Sequence, residues 1–137
     1  MRNWKMIVVT LLALTALSKL LGLIYPVTLL SQPDSLFKIS IFYVVAGACI
    51  VEFALCFCIS LLFDDVKAAW SVFAFSIVVL AYRMMANIYG ASHCPCLGNV
   101  TQWWPWLGRH ENPILTTVAV WLLLTSAFQL VLRRKQA

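Results

Sequence analysis

Residues 39–63 read ISIFYVVAGACIVEFALCFCISLLF, and Glu52 is the one charged residue in this run. An α-helix rises 1.5 Å per residue, so a run of this length can cross a hydrocarbon core of about 30 Å. Further long apolar runs lie at about residues 6–27, 66–89 and 114–132. We therefore predict four transmembrane helices.

The composition supports a membrane protein. Of 137 residues, 63% are hydrophobic and 11% are charged, whereas a soluble domain is roughly half apolar and a quarter charged. The formal net charge is +5, but the basic residues occur in short flanks and at isolated positions, with no basic stripe. This pattern disfavours nucleic acid as a partner and favours the lipid bilayer with its anionic headgroups.

The basic residues also predict an orientation. They concentrate at the two termini, as Arg2, Lys5, Arg133, Arg134 and Lys135, and basic flanks favour the cytoplasmic side. We therefore expect a single all-α domain over residues 1–137. It is a polytopic four-helix membrane bundle with both termini inside, in a bacterial inner (cytoplasmic) membrane.

The start of the chain also resembles a secretory signal peptide. Basic residues precede an apolar run in which small residues offer a cleavage site. Because the apolar run continues past Lys19, we predict that the segment is retained as the first helix.

Three charged residues fall inside the predicted spans, namely Lys19, Glu52 and Arg83. Each costs about 2.5–3.5 kcal/mol to insert at a helix centre. We expect the long side chains of Lys19 and Arg83 to reach Glu52, and Asn87, four residues after Arg83, to share its helical face. This polar network either holds the bundle together or presents positive charge to an anionic or quinone-like ligand or a thiolate.

The long connector at residues 91–113 contains the stretch His93-Cys94-Pro95-Cys96-Leu97-Gly98. Two cysteines one residue apart close a small, strained disulfide ring, and strained exposed disulfides exchange readily. Pro95 restricts the turn, and a protonated His93 can lower the pKa of a neighbouring thiol. We predict a redox-active pair, Cys94 and Cys96, on the outer side of the membrane.

Other interpretations of the cysteines stay open. The pair can instead be a static disulfide in a non-catalytic assembly subunit, or it can bind Cu(I) together with Met84, Met85 or His93. Cys49 and Cys56 share a face of the second run with Glu52. They either extend a redox relay inward or act as small apolar residues.

Three features together resemble the MauE/DoxX family of redox-associated membrane proteins. They are Ser18-Lys19-Leu20 late in the first helix, Glu52 in the middle of the second, and Cys94-Pro95-Cys96-Leu97-Gly98 after the third. The resemblance implies a four-helix membrane bundle and thiol or electron traffic on its outer side. MauE takes its name from methylamine utilisation, where it is implicated in maturing a disulfide-rich dehydrogenase alongside a thioredoxin-like partner. Nothing in these residues indicates methylamine itself.

The sequence thus predicts a membrane thiol–disulfide oxidoreductase. Cys94 and Cys96 exchange disulfides with a thioredoxin-like protein on the outer side. A quinone near Arg83 and Lys19 is a candidate electron carrier, as in other membrane disulfide enzymes, and no metal is required.

Overall fold

A computed structural model describes residues 2–24, 31, 33–34, 36–89 and 105–134. These residues form four helices: α1 (Arg2–Ile24), α2 (Ile41–Phe57) with a π-helical segment (Cys58–Leu62) after it, α3 (Asp65–Ile88) and α4 (Pro105–Arg134). Within this described part of the chain, four helical stretches are long and apolar enough to cross a membrane. The prediction of an all-α four-helix membrane bundle is confirmed.

The helices pack as two antiparallel pairs. α1 lies against α2, and α3 lies against α4. The thiol of Cys49 contacts the carbonyl of Ala16, and the thiol of Cys56 contacts the carbonyl of Val9, nearer the start of α1. α1 and α2 therefore run in opposite directions.

The bundle has two ends, which we name by what lies there. The loop end is where α1 and α3 finish. The terminal end is the opposite one, where α1 begins and α4 finishes.

The apolar core lies in the half of the bundle next to the terminal end. It combines residues of α1, the π-helical segment, α3 and α4: Val8, Leu12, Ile59, Ala68, Val72 and Leu122. Two serines are also fully buried, and each donates to a carbonyl of its own helix, Ser76 to Val72 at 2.8 Å and Ser126 to Leu122 at 2.7 Å. Hydroxyls satisfied in this way can face a dry interior.

The outer surface of the bundle is apolar. Only 17–28% of the residues in each spanning stretch are buried inside the chain. The exposed residues include large apolar side chains on every helix, such as Leu14, Ile50, Val78 and Leu124. An apolar surface of this extent is a natural contact for lipid acyl chains, so the bilayer is the environment of this chain.

The turn between α2 and α3 is fixed at the terminal end. Lys5 of α1 donates to the carbonyl of Phe63 at 3.0 Å and pairs with the carboxylate of Asp65 at 2.9 Å. The Asp64 side chain accepts the backbone N–H of Lys67 at 3.0 Å, which caps the start of α3. The start of α1 is thereby tied to the start of α3.

The fourth helix differs from its prediction. It begins at Pro105 and includes Pro113, whereas the sequence predicted a loop over residues 91–113 and a helix over residues 114–132. Pro105 lies in the first turn, where proline is favoured because the N–H it lacks has no partner there. Polar residues at 109–112 continue the helix beyond its apolar part, and hydropathy alone cannot distinguish such turns from a loop.

Candidate functional site

Lys19 and Glu52 form a buried ion pair between α1 and α2. The Lys19 ammonium donates to both carboxylate oxygens of Glu52, at 2.7 and 2.9 Å. Lys19 is 7% exposed and Glu52 is 5% exposed. The contact expected from the sequence is present, and it gives each buried charge an opposite charge at hydrogen-bonding distance.

Two cysteines flank this ion pair on α2. The Cys49 thiol lies 3.4 Å from the carbonyl of Ala16, and the Cys56 thiol lies 3.7 Å from that of Val9. Seven residues of helix separate the two cysteines by about 10 Å, which exceeds the Cα separation that a disulfide can bridge. They cannot form a disulfide with each other in this helix, and Cys49, Cys56 and Cys58 are free thiols. Their contacts are those of helix packing.

Arg83 bonds to α4 rather than to Glu52. Its guanidinium donates to the Asn112 side-chain oxygen at 2.7 Å, and its side chain is 8% exposed. The buried carboxylate of Glu111 is close enough to act electrostatically on Arg83. The predicted contact of Arg83 with Glu52 is therefore wrong, because Arg83 bonds within the α3–α4 pair. Its partner Asn112, which the sequence assigned to a loop, is part of α4.

Asn87 does not join the buried network. It lies in the last turn of α3, and its side chain is exposed. Its spacing from Arg83 places it on the expected helical face, but the final turn of a helix can extend beyond the packed part of a bundle. The buried polar groups of α3 at this level are Arg83 and, half-buried beside it, Tyr82.

A second polar cluster, which the sequence did not single out, joins the connector between α1 and α2 to α3. Asp34 accepts the backbone N–H groups of Leu36 and Phe37, both at 2.9 Å, and the Tyr82 hydroxyl at 2.7 Å. The Phe37 ring stacks on the Tyr82 ring with centroids 6.1 Å apart. Aspartate next to proline and serine is typical of a turn that the side chain stabilises, and that was the available signal.

The Asp34 contacts make the connector sensitive to acid. Burial raises the pKa of Asp34, but the hydrogen bonds from Phe37, Tyr82 and Leu36 outweigh it and hold the pKa below its usual range. A lowered pKa means that ionised Asp34 stabilises the fold above its unfolded pKa of about 3.9, and that this stabilisation is lost as the pH falls through the folded pKa.

We predict that the unfolding temperature of the wild-type protein in detergent falls more steeply below about pH 4 than that of Asp34→Asn. Thermal unfolding followed by circular dichroism between pH 6 and pH 2.5 measures the difference. Comparison with the variant removes the contribution of the other carboxylates. Parallel curves for the two proteins would contradict the assignment.

The start of α4 carries an open groove of about 350 Å³. It is lined by Trp106, His110, Pro113, Ile114, Thr117 and Val118. His110 stacks on the Trp106 ring at 4.9 Å and places its Nδ1 3.0 Å from the Trp106 carbonyl. The Thr117 hydroxyl donates to the Pro113 carbonyl. Of the residues that line this apolar groove, His110 is the ionisable one. Among the described residues, no three metal-ligating side chains come together.

The predicted redox residues Cys94, Cys96 and His93 lie outside the described residues. They belong to the segment at 90–104, which joins α3 to α4 at the loop end. Met84 and Met85, the additional Cu(I) ligands considered from the sequence, are exposed on α3.

In comparisons with known proteins, no family model, curated protein or solved structure matches this chain.

Proposed function

We propose that this chain is an integral-membrane thiol–disulfide redox protein of the MauE/DoxX type. The observation that carries the proposal is the Cys94-Pro95-Cys96 sequence in the segment that joins α3 to α4. A disulfide between residues so close is strained and therefore readily exchanged. Such a pair suits a redox shuttle better than a structural brace, because so short a crosslink stabilises a loop little.

The distribution of basic residues supports an outward-facing pair. Arg2 and Lys5 lie at the start of α1, and Arg133 and Arg134 lie at the end of α4, so these four residues belong to the terminal end. Lys135 follows them in the sequence, and basic flanks favour the cytoplasm. The loop end then faces the outer compartment, which in bacteria is oxidising. Cys94 and Cys96 would meet exported proteins there.

The exchange reaction needs only the two cysteines and a dithiol partner. A partner thiolate attacks one sulfur of the Cys94–Cys96 disulfide, the S–S bond breaks, and a mixed disulfide forms. The second partner thiolate then attacks the partner's own sulfur in the mixed disulfide, which forms the partner's disulfide and leaves both Cys94 and Cys96 as thiols. Two electrons and two protons have moved from the partner to the pair. A membrane quinone, where one is bound, would accept both electrons and both protons and so restore the disulfide.

The partner we propose is a thioredoxin-like protein on the outer side. The resemblance to MauE supports this partner and also supports a role in maturing exported proteins that contain disulfides. Cys49 and Cys56 are not needed for the exchange, since their thiols contact the backbone of α1.

The test is to trap the partner. In Cys96→Ser the Cys94 thiolate can still attack the disulfide of the oxidised partner, which is the reverse of the exchange above, and one partner thiol leaves. The mixed disulfide cannot then be resolved from the side of this chain, because Cys96 is missing. We predict that membranes of cells expressing Cys96→Ser contain a disulfide-linked complex that dithiothreitol separates by reduction. The double variant Cys94→Ser/Cys96→Ser should lack this complex. Non-reducing electrophoresis with mass spectrometry of the complex measures both.

A matched control is Cys58→Ser, which removes a free cysteine in the π-helical segment. Added to Cys96→Ser, it should leave the amount of complex unchanged. If Cys96→Ser captures no partner and the wild-type pair stays in one redox state in cells, the proposed function is refuted.

A further inference from the structure

Two buried polar atoms near the terminal end have no hydrogen-bond partner among the residues that the structure describes. They are the indole Nε1 of Trp4 on α1 and the side-chain Oε1 of Gln129 on α4. Buried donors and acceptors are almost always paired, either with protein groups or with ordered water. The need is greater inside a bilayer, because lipid tails cannot supply the bond.

Helical spacing aims both side chains at the interior of the bundle. Trp4 is four residues before Val8, which is fully buried, and its ring packs against the apolar core. Gln129 is seven residues after Leu122, which belongs to the same core on α4. Residues four and seven apart share a helical face. The two polar atoms therefore lie on the core-facing sides of α1 and α4.

The two side chains also converge along the axis of the bundle. At 1.5 Å per residue, Trp4 lies about 6 Å beyond Val8 toward the terminal end, and Gln129 lies about 10 Å beyond Leu122. Side chains lean toward the N-terminus of their own helix. α1 begins at the terminal end and α4 finishes there. The Trp4 ring therefore leans toward the terminal end while the Gln129 chain leans back toward the core, which closes the difference of about 4 Å.

We propose that one buried water molecule bridges Trp4 and Gln129 and joins α1 to α4 near the terminal end. The indole N–H only donates and the amide oxygen only accepts, so the molecule between them accepts one bond and donates the other. Water does both in the smallest volume. The apolar core borders the site on the side of the loop end. Since α1 and α4 belong to different helix pairs, the bridge connects the two pairs.

The experiment is NMR spectroscopy of the full-length protein with isotope-labelled tryptophan in lipid nanodiscs. Trp4→Phe identifies the Trp4 indole signal by its loss. We expect a cross-peak between the Trp4 indole hydrogen and water, with the sign of a bound water rather than that of hydrogen exchange. Gln129→Met keeps the length of the side chain but removes the oxygen. We expect this variant to lose the cross-peak and to shift the Trp4 indole hydrogen upfield.

Phe128→Leu is the matched control, because Phe128 is next to Gln129 and is 62% exposed on α4. It should leave the cross-peak and the Trp4 indole shift unchanged. A wild-type Trp4 indole that has no cross-peak to water overturns the proposal, as does a cross-peak that survives in Gln129→Met. A cross-peak to the Gln129 side chain or to a lipid hydroxyl in place of water also overturns it.

Thermal unfolding gives a second measurement of the same bridge. Each single variant leaves one polar atom buried without the bridge, whereas Trp4→Phe/Gln129→Met removes both atoms. The fall in unfolding temperature of the double variant should therefore be smaller than the two single falls added together. Additive falls overturn the bridge. If Gln129→Met does not fold, the wild-type cross-peak to water decides.

Discussion

Replacing Glu52 with leucine is expected to lower the free energy of unfolding by about 3–5 kcal/mol, because it leaves the ammonium of Lys19 buried without its counter-charge. Lys19 donates to both oxygens of Glu52 and is 7% exposed. Replacing both residues, as Lys19→Met/Glu52→Leu, should restore most of the stability, because two apolar side chains of similar size are often as stable as a buried ion pair. Unfolding in mixed detergent–SDS micelles, followed by circular dichroism, measures all three proteins.

Arg83 supplies the control for this double-mutant cycle of Lys19 and Glu52. Its side chain bonds to Asn112 rather than to Glu52, so Arg83→Met and Glu52→Leu should be additive within about 0.5 kcal/mol. Lys19→Met and Glu52→Leu should instead couple strongly. If the double variant of Lys19 and Glu52 is as unstable as the sum of its single variants, the ion pair is not the unit that the structure indicates.

Replacing Ile59 with alanine should cost about 2–5 kcal/mol of unfolding free energy, as for other fully buried aliphatic side chains. Ile59 is 1% exposed and contacts the core formed by α1, α3 and α4. In a bilayer the loss comes mainly from packing contacts, since lipid tails are as apolar as the side chain. The same micelle unfolding assay measures the effect.

Leu61 is the matched control for Ile59. It belongs to the same π-helical segment and is 69% exposed, so acyl chains can fill the space that Leu61→Ala leaves. Its effect should stay within about 0.5 kcal/mol. Equal losses for Ile59→Ala and Leu61→Ala would show that the π-helical segment does not pack against the bundle as described.

The sequence predicted the parts of the fold that depend on hydrophobicity and helical spacing. Long apolar runs predicted four spanning helices, and two opposite charges on inward faces predicted the contact of Lys19 with Glu52. The cap that Asp64 forms on α3 is also of a local kind, because aspartate is a residue type that accepts the first free N–H groups of a helix. Each of these inferences needed only local sequence and the thickness of a bilayer.

The contacts that the sequence did not predict depend on where polar residues fall in three dimensions. Asn112 lies in a polar stretch that hydropathy assigns to a loop, so it was not considered as a partner for Arg83. Asp34 and Tyr82 are 48 residues apart, and no periodic pattern connects them. The π-helical segment Cys58–Leu62 has no composition that distinguishes it from an α-helix. Long-range polar pairing and backbone irregularity therefore required the structure.

The two buried ionic contacts divide between the halves of the chain. Lys19 is neutralised by a residue of α2, and Arg83 is held by residues of α4. When a translocon releases this chain during synthesis, α1 and α2 can enter the lipid together with their charges already matched, before α3 has left the ribosome. α3 and α4 can follow as a second such unit, so neither half exposes an unmatched charge to lipid while it waits for the other.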